Sequence, residues 1–223
     1  MADVAVLLSG GLDSAVLAAQ AATTGVVQPV YVRAGLAWES EELALVERLL
    51  ATAPYSNRVL PLVRLSLDVT DLYPAAHWAR VGAPPAYDTP DEDVYLPGRN
   101  VLLLSKAGVL CALHGIPRLA IGPLAGNPFP DATPQFFASI AQTLSLGLGH
   151  PLQIETPLVT LHKEDVIELG AALGVPFELT MSCMKPSGGR HCGLCSKCRE
   201  RRDAFAAAGV ADPAEYVAAS PRG

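Results

Sequence analysis

Val4-Ala5-Val6-Leu7-Leu8-Ser9-Gly10-Gly11-Leu12-Asp13-Ser14 opens the chain with a short, continuous apolar run that stops at Ser-Gly-Gly. The next residues, Ser14 to Ala22, are rich in Ala, Leu and Val and predict a buried helix, so the opening reads strand, glycine turn, helix. In an open parallel sheet such a turn lies at the carboxyl end of the first strand, where ligands bind. Backbone N–H groups point outward there and the helix dipole favours an anion. Gly10 and Gly11 let the backbone approach a phosphate closely, and Ser9 and Ser14 add hydroxyls. No Walker-type lysine follows, so this is not a loop that cradles a transferred γ-phosphate. The plain alternative is an ordinary tight turn in which Asp13 and Ser14 cap the helix.

The same rhythm continues outward from the loop. Strands are expected at Pro29 to Arg33, Val63 to Val69, Leu119 to Gly122 and Gln153 to Thr156. Helices are expected at Glu39 to Leu50, Asn100 to His114, Pro134 to Leu148 and Lys163 to Leu173, the last closed by Gly174. Alternation of this kind predicts an α/β fold with a parallel sheet covered by helices on both faces. One stretch breaks the pattern. Asp71 to Pro97 holds five prolines and the acidic cluster Asp91-Glu92-Asp93, and predicts an irregular surface excursion of the kind that is usually functional. After Pro176 the apolar periodicity stops, and a cysteine-rich segment with a short helix from about Lys197 to Ala208 follows. The expected division is therefore a nucleotide-binding domain over 1–180 and a metal-binding segment with its helix over 181–223.

With 223 residues, half of them hydrophobic, the chain is long enough for one core-bearing domain with a small appendage. Sixteen basic against 22 acidic side chains give a net charge of −6, a field that repels phosphate polymers and makes nucleic acid an unfavourable partner. There is no apolar run long enough to span a membrane, and Met1-Ala2-Asp3-Val4 leads directly into the first strand without a leader pattern; a cytoplasmic protein is expected.

Four of the five cysteines crowd together as Cys183, Cys192, Cys195 and Cys198, spaced C-x8-C-x2-C-x2-C among turn glycines Gly188, Gly189 and Gly193. Such a set can close around one tetrahedral ion, with Zn²⁺ as the natural occupant and no open position for water, which makes the metal structural. An iron–sulfur cluster uses the same ligand chemistry and stays open as a reading; a redox dithiol fits a four-cysteine cluster less well. Lys185, Arg190, Lys197, Arg199, Arg201 and Arg202 are positioned in sequence to balance the thiolate charge. Cys111 stands alone in an apolar helix and reads as a small buried residue.

Ser9-Gly10-Gly11-Leu12-Asp13-Ser14 resembles the signature of the ATP pyrophosphatases, which have a HUP-type, Rossmann-like α/β domain and cleave ATP between the α and β phosphates. The resemblance implies that Leu8, Ser9, Gly10, Gly11, Leu12, Asp13 and Ser14 bind the triphosphate, with Asp13 near Mg²⁺, and that adenine is read at Tyr31, Val32 and Arg33. It also implies a phosphate lysine on a late helix, here Lys163; a solvated lysine in a first helical turn is the alternative.

Further motifs narrow the family. Leu96-Pro97-Gly98-Arg99-Asn100, Pro130-Asp131-x-x-Pro134-Gln135-Phe136 and Ser182-Cys183 followed by Cys192-Gly193-x-Cys195-x-x-Cys198 resemble segments of the 7-cyano-7-deazaguanine synthase (QueC) family, in order and over nearly the whole chain. Members convert 7-carboxy-7-deazaguanine, ammonia and ATP into the 7-cyano compound on the route to queuosine. The resemblance implies an ATP-dependent carbon–nitrogen ligase with catalytic Asp13, Arg99 and Lys163, substrate contacts from Arg99, Asn100 and Asp131, and a homodimer. Arg99 could instead pair with the acidic excursion, and Asp131 could instead cap the helix beginning near Pro134.

Two stretches depart from the family pattern. Arg33-Ala34-Gly35-Leu36-Ala37-Trp38 stands where members carry Tyr-Gly-Gln-Arg-His, and Leu124 to Phe129 is shorter than their Asn-x-x-Asp-Tyr-Ser run. A divergent enzyme that forms an amide or a conjugate is therefore a second reading. A tRNA-thiolating pyrophosphatase would want a basic face and a sulfur-carrying cysteine, which the acidic balance and the committed cysteines disfavour. A zinc-stabilised nucleotide sensor without turnover is the remaining rival, and no segment resembles a glutaminase.

Overall fold

The computed structural model describes residues 1–221. Five strands, β1 (Val4–Leu7), β2 (Val27–Arg33), β3 (Val63–Ser66), β4 (Arg118–Ala120) and β5 (Gln153–Glu155), form one sheet in the order β3-β2-β1-β4-β5. Every pairing is parallel, with Val6 of β1 opposite Pro29 of β2 and Ala120 of β4. Parallel neighbours require crossovers, and these are the helices α1 (Leu12–Thr24), α2 (Glu39–Leu50), α4 (Arg99–His114) and α5 (Pro134–Leu148). The C-terminal part adds α6 (Lys163–Ala172) and α7 (Ser196–Ala207).

Two-residue periodicity in β1 explains the layering. Val4 and Val6 belong to a core shared with α1, α2, α6 and α7, whereas Ala5 and Leu7 belong to a second core with α4 and α5 on the opposite face. Both faces of the central strand are thus buried, as a continuous apolar run in a parallel sheet demands. On the first face α6 lies close to α1, because a Cβ at Gly170 would sit 2.7 Å from Val16 Cγ2 and from Phe177 Cζ. A third cluster at the carboxyl end of the sheet joins Ala34, Leu36 and Trp38 to Val94, Leu96 and the cysteines Cys183, Cys195 and Cys198. The cysteine-rich segment therefore packs on the loop after β2 and on the proline-rich excursion.

Differences from the sequence expectations are local. α1 starts two residues before Ser14, β2 starts at Val27, before Pro29, and β3 ends at Ser66 instead of Val69, although Leu67 and Val69 still donate to Arg33 and Ala34 carbonyls. The excursion from Asp71 to Pro97 contains a short helix, α3 (Trp78–Val81), and a single helical turn at Asp91–Val94. His77 caps α3 by accepting a hydrogen bond from the Ala79 amide, and Trp78 stacks on Trp38 at 5.7 Å between ring centres, which anchors the excursion to the start of α2. Among the described residues no helix is long and apolar enough to cross a membrane.

Candidate functional site

The strand order reverses between β1 and β4, and the loops at the carboxyl ends of those strands diverge to leave a crevice. There Leu8 to Gly11 turns the chain from β1 into α1. Gly10 adopts φ +82°, and a Cβ on it would approach Val46 Cγ2 to 2.7 Å, so only glycine lets the loop lie on α2. Its carbonyl accepts the Met181 amide at 2.8 Å, tying the loop to the cysteine-rich segment.

α1 begins after Gly11 with no side-chain cap. Ser14 Oγ instead donates to the Gly11 carbonyl at 3.0 Å and accepts from the Ser9 amide at 3.2 Å, so it shapes the loop. This removes the capping alternative for Asp13 and Ser14 and leaves the first amides of α1 facing the crevice, the arrangement that attracts an anion.

Two adjoining cavities, of about 250 and 490 Å³, share Ser9, Gly11, Asp13, Glu42, Arg99 and Phe129 and form one cleft. The smaller is also lined by Leu8, Ser14, Tyr31, Val32, Asn100 and Asp131, and the larger by Leu12 and Lys163. Two of the residues expected from sequence to bind nucleotide stay out of the lining. Gly10 lies beneath the loop, and Arg33 is exposed at the end of β2.

Lys163 is not a solvated lysine. Its Nζ lies 2.6 Å from Asp13 Oδ2 and 2.9 Å from Glu200 Oε1, and Glu200 also holds Lys197, which reaches Asp91 at 3.6 Å. Burial opposes the charge on Lys163, but Asp13 and Glu200 outweigh it and hold the ammonium above its ordinary range. Burial likewise works against the Glu200 carboxylate, and Lys163 and Lys197 reverse the balance, bringing its pKa to about 2. The other oxygen of Asp13, Oδ1, is buried without a protein partner, as expected of an atom reserved for a ligand.

Arg99, the first residue of α4, makes no ion pair among the described residues, and its Nε is buried without a partner. The acidic excursion pairs with Lys197 through Asp91, so the alternative role for Arg99 fails. Asp131 does not cap α5. Thr133 does, accepting from the Phe136 amide at 3.2 Å, while Asp131 Oδ2 accepts from the Asn100 amide at 3.0 Å and its carbonyl accepts from Asn100 Nδ2 at 2.9 Å. The Pro-Gly-Arg-Asn and Pro-Asp segments are thereby joined on one wall of the cleft.

Two buried carboxylates at the cleft, besides Glu200, carried no signal in the sequence. Glu39 accepts from the Ala34 and Gly35 amides at 2.6 and 3.1 Å and so fixes the loop after β2. Glu42, buried beside that loop, accepts from Tyr31 Oη at 3.0 Å, and burial pushes its pKa up to about 8 against the opposing pull of Arg99. Both stretches that depart from the family pattern border this cleft, through Ala34 and Trp38 on one side and Leu124 to Phe129 on the other.

The four sulfurs of Cys183, Cys192, Cys195 and Cys198 lie within 4.8 Å of one another. Zinc–thiolate bonds of about 2.3 Å in a tetrahedron put sulfurs about 3.8 Å apart, so the set suits a single ion. An iron–sulfur cluster spreads its four thiolates over two or four irons and needs a wider cage. Backbone amides of Lys185 and Cys192 donate to Cys183 Sγ at 3.2 Å, and that of Leu194 to Cys192 Sγ at 3.3 Å, which stabilises thiolates. The basic side chains serve the cluster less than the sequence suggested. Arg201 is fully buried against Asp212, Thr180 and the Phe177 carbonyl, and Arg202 lies over Tyr216 and donates to Gly193 and Ala218 carbonyls. Cys111 is buried in α4, where burial raises its thiol pKa to about 12 and keeps it inert.

Comparisons with known proteins point to one family. The family profile described as "Queuosine biosynthesis protein QueC" matches residues 3–209. A 7-cyano-7-deazaguanine synthase of Magnetococcus marinus is 37% identical over 224 aligned positions, covering 95% of each chain. One from Anaeromyxobacter dehalogenans is 35% identical, covering 95% of this chain and 94% of the relative. Among solved structures, a 4-thiouridine synthetase in complex with RNA and ATP superposes with a TM-score of 0.50 and 16% identity, over 90% of this chain and 49% of that one, a likeness of fold alone.

Proposed function

The chain belongs to the QueC family of queuosine biosynthesis proteins, and from that membership we propose that it converts 7-carboxy-7-deazaguanine, ammonia and ATP into 7-cyano-7-deazaguanine through an adenylated carboxylate and an amide. The observation that carries this reading is the meeting, in one cleft, of the Ser9–Ser14 loop, Lys163, Arg99 and the Asn100–Asp131 pair, drawn from four separate parts of the chain. Residues 1–180 act as the nucleotide-binding unit, and 181–223, whose last two residues lie outside the described ones, as the metal-binding segment.

In this reading the uncapped amides of α1 and the loop hydroxyls hold the triphosphate, and Tyr31 and Val32 border the adenine. A carboxylate oxygen of the substrate attacks the α-phosphorus and pyrophosphate leaves. Arg99, whose Nε has no protein partner, and Lys163 offset the charge that builds on the α-phosphate. Ammonia then adds to the acyl carbon, AMP departs with the carboxylate oxygen, and a nitrogen proton is released. Repeating the activation on the amide oxygen, with loss of a second pyrophosphate, then of AMP and the two remaining nitrogen protons, leaves the nitrile. Asp131 is the group for the guanine-like edge, since Oδ2 is committed to Asn100 and Oδ1 is left to accept from ligand N–H groups.

Asp13, with its unpartnered Oδ1, would hold Mg²⁺, which supplies charge neutralisation of the triphosphate. The four cysteines would hold Zn²⁺ as a structural ion. Cytoplasmic location and a homodimer complete the proposal.

A second reading, in which the product is an amide or a conjugate of the same acid, draws support from the altered segments at 33–38 and 124–129, because both border the cleft.

Exchange of labelled pyrophosphate into ATP tests the activation step. The exchange is expected to depend on the deazaguanine acid in the wild type and to vanish in Asp13→Ala, with zinc content unchanged. Unchanged exchange in that variant removes the loop from the mechanism, and no exchange in the wild type removes the adenylate.

A further inference from the structure

α7 is linked at its start to the metal site and along its first turns to the nucleotide cleft. Cys195 precedes it and Cys198 lies within it, yet Lys197 and Glu200 line the 490 Å³ cavity together with Ser9, Gly11 and Asp13. Glu200 holds two ammonium groups at once. Its Oε1 lies 2.9 Å from Lys163 Nζ, and its Oε2 takes Lys197. Lys163 has a second strong partner in Asp13. Lys197 does not, because its other contact, Asp91 Oδ1, is 3.6 Å away, too far for a hydrogen bond, and that oxygen has no hydrogen-bond partner. The cleft thus contains a lysine held by one firm carboxylate and one weak one, facing the phosphate loop. Its long stem lets the ammonium exchange Asp91 for another anion without leaving Glu200.

We propose that Lys197 is a second phosphate ligand, contacting the β,γ end of the ATP triphosphate, and that Glu200 is the positioning residue that sets Lys163 and Lys197 for it. The proposal rests on the ATP-binding reading above and adds to it a residue of the metal-binding segment. The metal site then does more than brace the fold. By fixing Cys195 and Cys198 it orients the turn of helix that carries Lys197.

Equilibrium binding of ATP with Mg²⁺ and of AMP, measured without the deazaguanine acid, tests this. Lys197→Met is expected to weaken ATP by about tenfold, the loss of one charge-assisted contact, with AMP affinity and zinc content as in the wild type. Lys197→Arg keeps the charge and should stay close to wild type. Glu200→Gln should weaken ATP more than AMP, because it releases Lys197 as well as Lys163, with Glu200→Asp recovering part of the loss. Equal affinities in Lys197→Met and wild type, equal weakening of ATP and AMP, or loss of zinc from that variant would each overturn the assignment. In the unaltered protein, ATP but not AMP should shield Lys197 from an amine-acylating reagent, read by peptide mass spectrometry; equal labelling with and without ATP overturns it as well. Because the acid is absent, an error in the identity of the substrate shows only in turnover, and an error about Lys197 shows only here.

Discussion

Glu42 carries the clearest pH signature of any single residue in the cleft. Its pKa rises from an ordinary 4.5 to about 8, through burial first and despite Arg99, with Tyr31 donating to it and Glu39 nearby on the same helix. Below the lower value both folded and unfolded chains hold the proton. Between the two values only the folded chain does, so the stability present at acid pH is lost as pH rises toward about 8 and then levels off. Glu42→Gln should therefore be more stable than wild type at pH 8 by on the order of 4 kcal/mol, with little difference near pH 4.5. Melting curves at the two pH values check this, and a constant offset would contradict it. Asp131 separates two roles. Asp131→Ala loses the acceptor for the Asn100 amide and should cost about 1 kcal/mol, while raising the KM for the acid by roughly tenfold. Asp131→Asn should restore stability but not KM; recovery of both would remove Asp131 from substrate recognition. The loop residues and the four cysteines were legible in sequence because each sits in a contiguous, spaced pattern. Glu42 and Glu200 were not. Acidic residues in the first turn of α2 are explained by the dipole alone, and nothing in Glu39-Ser40-Glu41-Glu42 tells which carboxylate is turned inward, while Glu200 stands in a charged run, Lys197 to Arg202, that reads as a solvated face.

At the scale of elements, apolar period and turn residues located all five strands and the principal helices, with ends displaced by a few residues. The displaced strand ends have one cause. Strand ends are set by pairing with neighbours distant in sequence, as where Val27 enters β2 opposite Val4. The excursion over 71–97 was legible only as an irregularity, because α3 is held by the Trp38–Trp78 stack and by a histidine cap, contacts invisible in composition. The cysteine-rich segment is knitted to the main body through the Gly10–Met181 hydrogen bond and the third apolar cluster. Loss of the zinc proposed for the four cysteines should accordingly be felt beyond the segment itself. Cys195→Ser is expected to lose zinc and to lower the melting temperature by on the order of 10 °C. Retained zinc with an unchanged melting temperature would show that Cys195 is not a ligand.

For the whole molecule, a β3-β2-β1-β4-β5 parallel sheet places one crevice at the reversal of strand order, and the loop, Arg99, Asp131, Lys163 and Glu200 converge there from elements far apart in sequence. Family membership and this convergence are the grounds on which we propose an activated carboxylate as the centre of the chemistry. The most direct test is to supply ATP, Mg²⁺, ammonium and 7-carboxy-7-deazaguanine labelled with heavy oxygen in its carboxyl group, and to weigh the AMP and the deazaguanine product. Activation as an adenylate predicts that the carboxyl oxygens appear in AMP and that the product has the mass of the nitrile. Unlabelled AMP, or an acid recovered unchanged with no AMP formed, would contradict it.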